Sequence, residues 1–262
     1  MIEETMRLLH EARLTSMAAR LKQWMGNPKN MTRSHTDCVH ALVSAHLQST
    51  HKRQTDRFLA ATGFAPTMAL ANVWTGPRRG LTDGTLANLA DGVWLRAGAS
   101  LVITGPHGSG KTFLAAALAR EACVQGQRAT YCTLAGLLDD GADGAPGVAI
   151  ARIHRLRSPG LLVIDHFAEE IVPEHLGAHL RDLIDERNRR GRSTIFVSSR
   201  AMDDWPLVFE NPDTAKAICS KVHNATAVIT LKRDRRSGAA SINRNTGQRQ
   251  PDSRSDRTGT LN

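Results

Sequence analysis

Aromatic side chains make up only 4% of this chain, with a single tyrosine among them. So sparse a supply argues against broad stacking platforms for single-stranded nucleic acid. Cysteine is scarce too. Cys38, Cys123, Cys132 and Cys219 form no C-x-x-C pair and no zinc-like spacing, which argues against a disulfide scaffold or a structural metal. They read as small apolar groups in a reducing compartment. No apolar run approaches the ~18–20 residues of a membrane span. The N-terminal stretch MIEETMRLLHEARL is charged and amphipathic, without the apolar core of a signal peptide. The protein is therefore expected to be soluble and cytoplasmic, with no membrane partner.

What is present is ordinary in amount and uneven in placement. The 262 residues are 41% apolar and 23% charged, with a net charge of +9, enough chain for one large domain and a smaller one. Residues 1–98 carry +5, residues 99–234 are neutral, and residues 235–262 carry +4. Basic ends around a neutral centre suit a polyanion-binding periphery on an enzyme-like core. Three-to-four spacing of Ile2, Met6, Leu9, Met17, Leu21 and Trp24 predicts one helix over residues 2–25, and a second pattern runs over 34–61. Lys52, Arg53 and Arg57 share a surface of that second helix, either a solvated face or one that contacts phosphates or a partner. Residues 63–81 are punctuated by proline and glycine like an ordered linker, and a short helix capped by Thr82 or Asp83 follows.

Beyond it, apolar runs at 100–104, 128–133, 161–164, 193–199 and 227–232 alternate with helical patterns. That alternation predicts an α/β fold, a parallel sheet covered by helices on both faces. The segment after 234 has almost no large apolar residue and is expected to be a disordered basic tail. The expected division is a helical region over 1–80, an α/β core over 81–234, and the tail over 235–262.

The chemistry begins with GPHGSGKT at residues 105–112. Gly105, Gly108 and Gly110 permit a tight turn whose backbone N–H groups converge on phosphate oxygens, with Pro106, His107 and Ser109 completing the loop and Phe113 following it. Lys111 supplies a point charge to the outer phosphates, Thr112 a hydroxyl for magnesium, and the next helix its positive end. An apolar strand in front and an alanine-rich helix behind give the motif its required context. ATP with Mg2+ is the expected ligand.

In the stretch GLLVIDHFAEE, an apolar strand runs into Asp165, the natural second contact for that magnesium. The following position would ordinarily orient the attacking water, and here it is His166. Glu169 and Glu170 stand close enough in sequence to reach in. Whether this chain hydrolyses ATP or only binds it stays open on these residues alone.

The segments KRQTDRFLAATGFAP, LANLADGVWLRAGASLVITGPHGSGKTFLAAAL, LLVID and RNRRGRSTIFVSSRAMDDWPLVFENPDTAKAI together resemble the IstB family. These are ATP-binding helper proteins of bacterial insertion sequences, AAA+ relatives of the DnaC helicase loader. The resemblance covers roughly residues 5–232. It implies a helical N-terminal region before an AAA+ P-loop ATPase core, assembly of a homo-oligomer on duplex DNA with ATP, and presentation of that DNA to a transposase.

The chain departs from the family at three positions that serve hydrolysis. His166 stands for a second acid, Ser199 for the asparagine that senses the outer phosphate, and Lys221 for an arginine finger, without the planar fork of arginine. The family's C-terminal ending is also missing. Two rival readings follow: a DnaC-like loader acting on single strands, and a DNA-binding adaptor that binds ATP without hydrolysing it. Arg187, Arg189, Arg190, Arg192 and Arg200 cluster around the fourth strand and read as a solvated helix end.

Overall fold

A computed structural model describes residues 1–139, 147–224 and 226–233. The expected tail at 235–262 lies outside the described residues. The chain opens with helices α1 (Ile2–Glu11), α2 (Thr15–Met25) and α3 (His35–Thr62). Helices α4 (Asp83–Ala90) and α5 (Val93–Arg96) follow a linker with two short 3-10 turns. The core then alternates β1 (Ser100–Thr104), α6 (Lys111–Val124), β2 (Ala129–Thr133), α7 (Leu134–Leu138), α8 (Val148–Arg155), β3 (Leu161–Asp165), α9 (Glu174–Arg189), β4 (Ser193–Ser198), α10 (Pro212–Asn224) and β5 (Thr226–Thr230).

The single helix expected over 2–25 is two. Arg13 takes a left-handed φ of 59° between α1 and α2, and Leu14 N–H donates back to Leu9 O at 2.8 Å. The second helix matches its expected span closely, because its start is chemically marked. Ser34 and Asp37 form a reciprocal capping box, and Gly63 ends the helix in a left-handed conformation.

The five strands form one parallel sheet in the order β2-β3-β4-β1-β5. Period-two alternation divides its apolar side chains between two cores. Val102, Leu162, Ile164 and Phe196 face α7 to α10 and the buried Trp205. Leu101, Ile103, Val163, Ile195 and Val197 face α6, α4, α5 and the linker. Helix α3 also reaches this second side. His51 shares a hydrogen bond with Val124 O at 3.1 Å, and Phe64, just beyond α3, meets the Tyr131 ring edge-on at 5.0 Å.

Arg187 is the clear departure from the sequence reading. It is not solvated at a helix end; it is fully buried. Its guanidinium donates to Leu156 O, Pro159 O, Ser193 O and Thr194 Oγ1. Arg189 and Arg190 do pair at the surface, with Glu186. Among the described residues no helix is long and apolar enough to cross a membrane.

Candidate nucleotide site

The C-terminal edge of the sheet collects the polar strand ends. Thr104 pairs with Ser198 on one side and Thr230 on the other, and Thr133 pairs with Asp165. A parallel sheet directs ligands to this edge, and the loop at 105–110 crosses it from β1 into α6.

Two of its glycines are required by what stands behind them. Gly105 has φ 142° and Gly110 has φ 85°. A Cβ at Gly105 would strike Leu231 O, and one at Gly110 would strike the Arg79 guanidinium. The loop's carbonyls are gripped by three cations. Lys111 Nζ donates to Pro106 O at 3.1 Å, Arg233 Nη2 to His107 O at 2.6 Å, and Arg79 Nη2 to Ser109 O at 3.0 Å.

The Ser109 hydroxyl is buried without a hydrogen-bond partner among the described residues. An orphaned donor inside a glycine-rich turn at a helix N-terminus fits a phosphate oxygen. Lys111 is 8% exposed. Burial lowers its pKa, against the pull of Glu169 and Asp165. Thr112 is half-buried, and Phe113 packs against the core beneath the loop.

Asp165 ends β3 and is buried. Its Oδ2 accepts from Tyr131 Oη at 3.0 Å and its Oδ1 from His166 N–H at 2.9 Å. Burial, then the Asp165 charge, push the tyrosine's pKa up, so the phenol stays a donor. With the Thr112 hydroxyl, this gives hard oxygen donors of the kind magnesium takes.

The turn after Asp165 is strained. His166 and Ala168 have φ values of 56° and 58°, a conformation that costs a non-glycine residue about 1–2 kcal/mol. Phe167 holds it in place. Phe167 N–H donates to Val197 O at 2.8 Å, and its ring packs edge-on against Phe196 and Trp205.

This turn brings Glu169 back under His166. Glu169 Oε2 lies 2.8 Å from His166 Nδ1, and Oε1 accepts from Ser199 N–H at 2.8 Å. The hydrogen bond to Glu169 raises the His166 pKa. For Glu169 itself, burial opposes ionisation, but the bonds from His166 and Ser199 outweigh it and lower the pKa.

The structure thus assembles residues 105–112, Asp165, His166 and Ser199 at one sheet edge. Lys221 is elsewhere engaged, in an ion pair with Asp185 of α9. Lys52 and Arg57 are exposed on α3, as is Arg53, whose guanidinium folds back on Ser49.

Four participants were not visible in the sequence: Tyr131, Arg79, Arg233 and the bridging use of Glu169. Arg79 lies in what reads as linker, and its long-range contact has no local signal. Arg79→Met is expected to weaken nucleotide binding about tenfold, since a hydrogen bond from a charged donor contributes about 1.5–3 kcal/mol. Titration with a fluorescent ATP analogue checks this, and unchanged affinity would show that the loop keeps its shape without that grip.

Comparison with known proteins bears on the same residues. The family model described as "IstB-like ATP binding protein" matches residues 7–238. An ATP-binding protein in an insertion sequence of Mycobacterium tuberculosis is 26% identical over 227 residues, covering 85% of this chain and 89% of the relative. An insertion-sequence ATP-binding protein of Pseudomonas fluorescens is 29% identical over 203 residues, covering 76% and 86%. Among solved structures, AMPPCP-bound DnaA from Aquifex aeolicus superposes with a TM-score of 0.55 at 17% identity, over 70% of this chain and 55% of that one. The chain thus spans about half of that DnaA structure, and the likeness is one of fold, the AAA+ arrangement of sheet and helices.

Proposed function

Given that this chain belongs to the family of IstB-like ATP-binding proteins, we propose that it is an ATP-dependent transposition helper that assembles on duplex DNA and presents it to a transposase. The observation that carries this reading is the phosphate loop, with the orphaned Ser109 hydroxyl inside it and Asp165 buried beside it. The bound AMPPCP of the DnaA structure and the insertion-sequence names of the relatives support the same assignment.

In this proposal the backbone of 105–111 and Lys111 hold the phosphates, while Thr112 and Asp165 hold Mg2+. The metal, when bound, would supply positive charge to offset that of the outer phosphates. His166 takes the water-orienting position and Ser199 the sensor position. Lys221 would serve a neighbouring copy after leaving Asp185. Residues 1–80 would contact DNA or the partner, with the exposed Lys52, Arg53 and Arg57 as phosphate contacts, and 81–234 would form the ATPase core.

The experiment is light scattering and gel shift on purified protein with duplex or single-stranded DNA, with and without ATP. The expected result is a large assembly that needs both ATP and duplex and weakens steeply with salt. Equal DNA affinity with and without ATP would overturn the assembly model, and preference for single strands would favour a loader.

A further inference from the structure

A histidine can steer water only if its ring is held, and the geometry here holds it. Glu169 spends both carboxylate oxygens, one on His166 Nδ1 and the other on the Ser199 amide. It therefore ties the turn after β3 to the end of β4. The tie is built on the two left-handed residues, His166 and Ala168, and on the Glu169 N–H bond to His166 O at 3.2 Å. Strain of this kind persists only where the surroundings enforce it, and it gathers at working sites. The clamp also sits beside the phosphate cation. Glu169 and Asp165 both lie within electrostatic reach of Lys111, as Lys111 does of the His166 ring.

We propose that Glu169 is a positioning residue for ATP hydrolysis, fixing the His166 ring so that its Nε2 orients the attacking water. This rests on the nucleotide-site reading above. With Nδ1–H donating to Glu169, the neutral ring presents Nε2 as an acceptor, because the partner of one nitrogen sets the role of the other. Phosphoryl transfer asks mainly for orientation here. The water oxygen bonds to the γ-phosphorus as the bond to the β–γ bridging oxygen breaks. ADP leaves with that electron pair, and the water's proton ends on the released phosphate. Glu169 is itself a poor candidate for contacting the water, since both its oxygens are already engaged.

The test uses the full chain with Glu169→Ala, Glu169→Gln, His166→Ala and the Glu169→Ala/His166→Ala pair. Imidazole nitrogen spectra of the neutral ring read the tautomer. Steady-state kinetics and a fluorescent ATP analogue read turnover and binding. In the parent the ring is expected as the Nδ1–H tautomer, a state lost in Glu169→Ala. In that variant kcat should fall about a hundredfold, with KM within about threefold of the parent. Glu169→Gln should recover part of the loss, because its amide oxygen still accepts from Nδ1–H. The double variant should lose no more than His166→Ala alone.

An unchanged kcat in Glu169→Ala, an Nε2–H ring in the parent, or losses that multiply in the double variant would each overturn the inference. A parent that binds the analogue but never hydrolyses ATP overturns the water-orienting role and leaves nucleotide binding intact. A parent that binds no nucleotide overturns both.

Discussion

Lys111→Ala is expected to lower ATP hydrolysis by about 10²–10³-fold, the usual consequence of removing one fixed donor from a developing charge. Nucleotide affinity should fall about a hundredfold, because the ammonium's bonds to phosphate are charge-assisted and lie in a desolvated site. The same substitution should leave stability unchanged or raise it. Lys111 is nearly buried, burial lowers its pKa, and Pro106 O is its one hydrogen-bond acceptor among the described contacts. A cation kept in such surroundings weakens the fold and is retained for what it binds. Calorimetric titration with an ATP analogue and a Tm comparison check the two halves together. Retained affinity would remove the phosphate loop from the argument. Lost affinity with a large fall in Tm would mean that the lysine serves the fold instead.

The phosphate loop and the strand leading to Asp165 were legible because their signals are local. Glycine spacing, one lysine and an apolar run fix a turn between β1 and α6 with no help from the rest of the chain. The parallel sheet followed from five apolar runs separated by helical patterns, and α3 from its apolar periodicity over 34–61. What escaped depends on distant groups or on rare backbone states. Nothing near Arg13 marks it as left-handed, so α1 and α2 read as one helix. His166 and Ala168 likewise lack the glycine that normally announces such a turn. Their φ values are imposed by Phe167, seated between Phe196 and Trp205, contacts 29 and 38 residues away in the numbering. Tyr131 reaches Asp165 only because β2 lies beside β3. Arg79 and Arg233 approach the loop from the two ends of the core, a meeting no short window of sequence contains.

Arg187→Leu is expected to destabilise the protein by about 3–5 kcal/mol, the cost of breaking a buried charged network from one side. For a chain of this size that corresponds to a fall in Tm of about 10 °C. The guanidinium fastens Leu156 O and Pro159 O, in the segment entering β3, to Ser193 O and Thr194 Oγ1 at the start of β4. Leucine fills much of the space and leaves these acceptors in an apolar core without donors. Burial lowers the Arg187 pKa to about 10, still well above neutrality, so the group stays charged while it holds them. Arg187→Lys should recover little, since one ammonium cannot reach four acceptors arranged for a planar fork. The contacts lie at the strand ends opposite the phosphate loop. Near-parental ATP-analogue affinity in the surviving folded fraction is therefore the expected companion result. Full recovery by lysine would show that charge alone is needed there, and a Tm near that of the parent would show that water replaces the guanidinium in what the structure presents as a closed site.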